Sequence, residues 1–181
     1  MIAEETYLKG CYIITPDVFA DDRGYFFESF NQKKFKDLTG LEMKFVQDNQ
    51  SKSNRGVLRG LHFQTEAYAQ AKLVRVIKGS VLDVCVDLRE NSITFGNSFS
   101  IILDDIKCNQ LFVPRGFAHG FLVLEDETIF SYKCDNYYNK ASESGIIFND
   151  KTLDINWDFP SEEIILSEKD KQLTTFDTLF Q

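Results

Sequence analysis

Runs of β-branched and aromatic residues recur roughly every ten residues along this chain, broken by glycine and proline turns, and that spacing constrains the fold more than any other feature. Strands are expected over 11–20, 25–30, 57–64, 71–77, 80–87, 95–103, 110–113 and 128–134. The stretch 112–121 reads as a stiff loop turning into a further strand, and Lys78-Gly79 as the turn of a hairpin between its two flanking strands. Helix is expected only over 31–41, where Asn31 can cap the start and a glycine follows the last turn. Many short strands with few helices predict an all-β jelly roll with short flanking helices and a ligand cavity inside the barrel.

Composition agrees with that reading. The chain has 181 residues, enough for one domain spanning 1–181 with a substantial core, and 17 of them are phenylalanine. A net charge of -8 argues against a nucleic-acid partner, because binding a phosphate backbone needs a net basic face. A few convergent Arg and Lys can still make a pocket for a small anion. The four cysteines form no C-x-x-C pair and no secretory segment precedes them, so reduced thiols in a cytoplasmic protein are expected. No apolar run approaches the roughly 20 residues needed to cross a bilayer.

The chain has two histidines, His62 and His119. Imidazole titrates near cellular pH, so His62, set in the strand Val57-Leu58-Arg59-Gly60-Leu61-His62-Phe63-Gln64, is the leading general base. The plainer reading is a hydrogen-bonded structural residue. Strict alternation sends Arg59 and His62 to opposite faces, so their cooperation requires a bulge or twist at Gly60, a residue that permits one. Lys72 shares parity with Val74 and Val76, which places a cation beside an apolar surface, unless it snorkels at a strand end. Tyr132 shares the face of Phe130 and Cys134. Residues 45–51, two apolar followed by five polar, are by default a solvent loop, although such amides also grip hydroxyls. No His-x-His or Cys pair completes a three-ligand shell, so a metal-free site is expected. A base, an ammonium and a phenol suit proton abstraction beside a carbonyl, with the proton returned on the opposite face.

Six motifs occur in the order found in the dTDP-4-dehydrorhamnose 3,5-epimerase family, which the chain resembles over nearly its whole length. They are Asp21-Asp22-Arg23-Gly24, Phe45-Val46-Gln47-Asp48-Asn49, the His62 strand, 112–121, Tyr132-Lys133-Cys134 with Tyr137-Tyr138-Asn139, and 165–170. The resemblance implies a cupin jelly roll, a cytoplasmic homodimer, no metal or organic cofactor, and a dTDP-linked 4-keto-6-deoxy sugar as substrate. Both carbons flanking the C4 ketone would be inverted. His62 would be the base, held by Asp170; Lys72 would stabilise the enolate and Tyr132 would be the acid. Arg59 and His119 would lie near sugar and diphosphate. Arg23, Glu28, Gln47, Asp48, Asn49, Glu143 and Lys169 would bind the nucleotide or its diphosphate, and Tyr138 would stack on thymine. A single-carbon epimerase or a non-catalytic nucleotide-sugar binder would share most of these residues. Three departures stand out: Gln50 replaces a frequent His, Phe63 a common Tyr, and Arg115 a common acidic residue that would alter charge at the cavity mouth. Asp83 is the reserve partner for His62.

Overall fold

The computed structural model describes residues 1–180; Gln181, the last residue of the expected domain, lies outside them. Thirteen strands run β1 (Ile2–Glu5), β2 (Tyr12–Thr15), β3 (Phe19–Asp21), β4 (Gly24–Phe26), β5 (Gln47–Ser53), β6 (Leu58–Gln64), β7 (Lys72–Lys78), β8 (Ser80–Asp87), β9 (Ser98–Asp104), β10 (Gln110–Val113), β11 (Phe117–Val123), β12 (Thr128–Cys134) and β13 (Glu143–Gly145). Two short helices flank them, α1 (Gln32–Thr39) and α2 (Phe176–Leu179). A six-stranded sheet, β1-β2-β10-β7-β12-β5, faces a five-stranded one, β13-β6-β11-β8-β9, and β3-β4 forms a separate hairpin. Every named pairing is antiparallel, the jelly-roll arrangement expected.

Three apolar layers explain why so many phenylalanines are needed. Between the sheets, Val74, Val76, Val81, Cys85, Phe121 and Phe130 fill the closed part of the barrel. The outer face of the five-stranded sheet is covered by the C-terminal segment through Ile146, Leu153, Trp157 and Phe176. Phe35 of α1, 2% exposed, caps the outer face of the six-stranded sheet against Leu73 and Phe112. As expected, Asn31 accepts from the Lys34 backbone to start α1, and Gly40 ends it in the left-handed region.

Three expectations need correction. Residues 47–51 are strand rather than loop: β5 pairs with β12 along all of Gln47–Ser53, an edge position that leaves one row of backbone groups open to solvent and tolerates a polar strand. Lys78-Gly79 closes no hairpin. β7 pairs with β10 and β12, β8 with β9 and β11, so Gly79, at φ 83°, carries the chain from one sheet to the other. Finally, the strand expected over 25–30 ends at Phe26, since β4 has only the short β3 as a partner.

The bulge that Gly60 permits is present. His119 faces His62 while Phe121 faces Arg59, so β6 carries one more residue than β11 across that interval. Leu58 and Leu61 therefore both pack in the outer layer, and Arg59 and His62 both reach the interior. Gly60 has φ 120°, and an added Cβ would meet Gly120 Cα at 2.5 Å and His119 O at 2.8 Å. Gly60→Ala is expected to lower stability by roughly 2–3 kcal/mol, read as a shift of the thermal midpoint. An unchanged midpoint would show that the two strands can separate without loss.

Candidate active site

The open end of the barrel holds a cavity of about 420 Å³ whose walls are the two sheets. From the five-stranded sheet come Arg59 and His62 of β6 with His119 and Phe121 of β11; from the six-stranded sheet come Asn49 and Ser51 of β5, Lys72 of β7 and Tyr132 of β12. The segment carrying Ser167, Lys169 and Asp170 closes one side. A smaller pocket of about 110 Å³ adjoins it, sharing His62, Lys72 and Tyr132 and adding Tyr138 and Glu143. Imidazole and phenol thus sit on opposing walls of one space.

His62 Nε2 lies 2.5 Å from Asp170 Oδ1, and the Asp170 side chain is only 5% exposed. Burial works to raise the Asp170 pKa, but the hydrogen bond and charge of His62, joined by Ser167, outweigh it and hold the carboxyl below its usual range. Ser167 Oγ accepts from the Asp170 backbone at 3.1 Å, fixing the turn that delivers the carboxylate. A carboxylate on one ring nitrogen orients the ring and leaves the other nitrogen free to work on a ligand.

Lys72 donates to the His62 carbonyl at 3.5 Å, and its Nζ is 6.0 Å from the centre of the Tyr132 ring. Burial pushes its pKa down, because an ammonium shed of water is less well stabilised. The same dryness strengthens its attraction for any negative oxygen placed beside it. Burial also pushes the Tyr132 pKa up to about 12, which keeps the phenol protonated at neutral pH. Arg59 is oriented by Ser53 Oγ, to which Nη2 donates at 3.0 Å. Among the described residues, no three His, Cys, Asp or Glu side chains gather as metal ligands, and no helix is long and apolar enough to cross a membrane.

This arrangement has close counterparts. A family model described as dTDP-4-dehydrorhamnose 3,5-epimerase matches residues 5–178. The chain belongs to that family. The Escherichia coli (strain K12) dTDP-4-dehydrorhamnose 3,5-epimerase is 49% identical over 176 residues, 97% of this chain and 95% of that protein. The crystal structure of the Elizabethkingia anophelis NUHP1 enzyme of the same name superposes with a TM-score of 0.93 at 56% identity, covering 97% of this chain and 96% of that one. A dTDP-6-deoxy-D-glucose-3,5-epimerase from Legionella pneumophila Philadelphia 1, solved in complex with dTDP-4-keto-L-rhamnose, gives 0.93 at 42% identity, covering 97% and 92%. The fold is accordingly the family's cupin jelly roll.

The residues that the resemblance to the epimerase family implied divide into four groups. His62, Lys72, Tyr132, Asp170, Asn49, Arg59, His119 and Lys169 share the main cavity. Tyr138 and Glu143 line the adjoining pocket, where the Tyr138 hydroxyl donates to Glu143 at 2.9 Å and Lys169 pairs with the same carboxylate. Gln47 lies behind them: it donates to Asn49 Oδ1 and accepts from the Tyr138 backbone, so it holds two cavity residues in place. Arg23, Glu28 and Asp48 are not brought into this chain's cavity. Arg23 is paired with Asp21 at the exposed tip of β3-β4, and Glu28 with Lys34. Asp48 pairs with Lys133 on the far face of β5, where alternation must send it if Gln47 and Asn49 point inward.

Asp83 faces His119 rather than His62, which corrects its reserve role; β8 lies next to β11 and one strand away from β6. Arg115 does not line the cavity and its charge is matched by Asp135 at 2.7 Å. Gln50 lines the main cavity and Phe63 the smaller pocket. Sequence reasoning missed Ser51, Phe121 and Ser167 as lining residues. Parity with Asn49 in β5 and with His119 in β11 was the available signal for the first two.

Proposed function

We propose that this protein inverts C3 and C5 of dTDP-4-dehydro-6-deoxy-D-glucose to give dTDP-4-dehydro-L-rhamnose. The observation that carries the reading is a carboxylate-held imidazole facing a phenol across one cavity, with an ammonium beside both. His62 takes the proton from the carbon next to the ketone, and the electron pair moves onto the C4 oxygen as an enolate. Lys72 stabilises that oxygen, more strongly for being buried. Tyr132 then gives its proton to the same carbon from the other face, and configuration inverts. Once His62 has given its proton to solvent and Tyr132 has taken one back, the same step at the second flanking carbon completes the reaction. All of these groups belong to this chain, so the scheme calls for no metal or organic cofactor.

Arg59, Lys169 and Asn49 supply charge and hydrogen bonds for the sugar nucleotide, and Tyr138, 51% exposed at the mouth, offers a ring to the base. A homodimer accounts for the residues that lie elsewhere. Phe19, Tyr25 and Phe26 are more than half exposed on the hairpin that carries Arg23, and a second subunit would cover them. Arg23 and Glu28 would then serve the partner's substrate. A cytoplasmic location suits the four free cysteines.

Incubation with the 4-keto sugar nucleotide in heavy water, followed by NMR, tests the reaction. Deuterium is expected at both C3 and C5 with inversion. Label at one carbon alone would indicate a single-site epimerase, and absence of label would indicate a binding protein.

A further inference from the structure

His119 carries a second carboxylate pair that the scheme above does not use. His62 and His119 are cross-strand neighbours in β6 and β11, and each has Nε2 against its own aspartate. Both oxygens of Asp83 lie 3.0 Å from His119 Nε2. Asp83 is 0% exposed and His119 6%, and among the described residues that ring is the carboxylate's sole hydrogen-bond partner. The ring is further held by Phe130, stacked at 6.2 Å between centres. An ionised carboxylate only accepts, so the proton between them stays on Nε2. His119 Nδ1 bonds to no other protein atom, yet no buried side-chain nitrogen or oxygen is left without a partner, so Nδ1 is open to the cavity that His119 lines.

We propose that Asp83 is a positioning residue for sugar recognition: acting through His119, it keeps the ring proton on Nε2 and leaves the Nδ1 lone pair to accept a hydroxyl of the bound hexose. The proposal rests on the reading of the cavity as a nucleotide-sugar site. It separates the hexose from the nucleotide, since the proposed reading gives the diphosphate to Arg59 and Lys169, which line the same cavity. A carboxylate that fixes an imidazole tautomer acts on the ligand only through the free nitrogen.

Calorimetric titration with dTDP and with dTDP-glucose, a stable nucleotide sugar without the ketone, tests this. Asp83→Asn is expected to weaken dTDP-glucose about tenfold and leave dTDP unchanged. His119→Ala should do the same, and adding Asp83→Asn to it should cost nothing further. In the unmodified protein, 15N NMR of the imidazoles should show His119 protonated on Nε2, a measurement that depends on no variant folding well. Equal weakening of dTDP and dTDP-glucose, additive losses in the double variant, or a proton on Nδ1 in the neutral ring would each overturn the proposal. Failure of the unmodified protein to bind either nucleotide would instead overturn the reading of the site, and the tautomer would still judge Asp83.

Discussion

Replacing His62 by alanine is expected to lower turnover by roughly a hundredfold or more while nucleotide binding stays largely intact. The reason lies in the division of labour within the cavity. On the proposed reading Arg59, Lys169 and Tyr138 take the nucleotide end, and none of them hydrogen-bonds to His62, so affinity for dTDP is expected to survive its loss. The imidazole that remains on that wall, His119, has its open nitrogen assigned to a sugar hydroxyl, and Asp170, 4% exposed, sits behind the lost ring, so neither is placed to take the proton. Deuterium wash-in should therefore fall with turnover, at both carbons. Steady-state rates beside a calorimetric titration with dTDP are the measurement. Undiminished turnover would remove His62 from the mechanism.

Tyr132→Phe should lower the rate of inversion by a comparable hundredfold or more, with a different isotopic signature. The base is still present, so the proton can leave and be returned to the face it left. Solvent deuterium should enter the starting sugar without change of configuration, and exchange should outrun epimerisation. Loss of exchange and inversion in equal measure would place Tyr132 outside the protonation step. The phenol has a second consequence at high pH. Its folded pKa of about 12, raised chiefly by burial, exceeds the ordinary value near 10. The folded state thus keeps a proton that the unfolded chain gives up first. Its contribution to stability is present below about pH 10 and is lost as pH rises towards about 12.

What could be read before any coordinates followed from local geometry. Alternation placed Tyr132 with Phe130 and Lys72 with Val74, and the glycine between Arg59 and His62 permitted the bulge that puts both on one face. The same rule, applied to Gln47-Asp48-Asn49, separates Asp48 from its neighbours; grouping the three as one motif hid it. The polar composition of β5 suggested a loop because edge pairing with β12 is invisible in a sequence that lacks apolar alternation.

The chain's own order of residues determined the strand-rich architecture and the shared parity of Lys72 with Val74 and Tyr132 with Phe130, because a two-residue period acts over short distances, and Gly60 permitted the bulge that the strand register then shows. Only the tertiary structure decided which carboxylate serves which histidine. Asp170 and Asp83 lie far from His62 and His119 along the chain, and neighbourhood between strands is set by sheet order, which no local period encodes. Sheet order also turned Gly79 into the crossing from one sheet to the other, so that β7 and β8 belong to opposite walls, and from those two walls a phenol looks across at an imidazole.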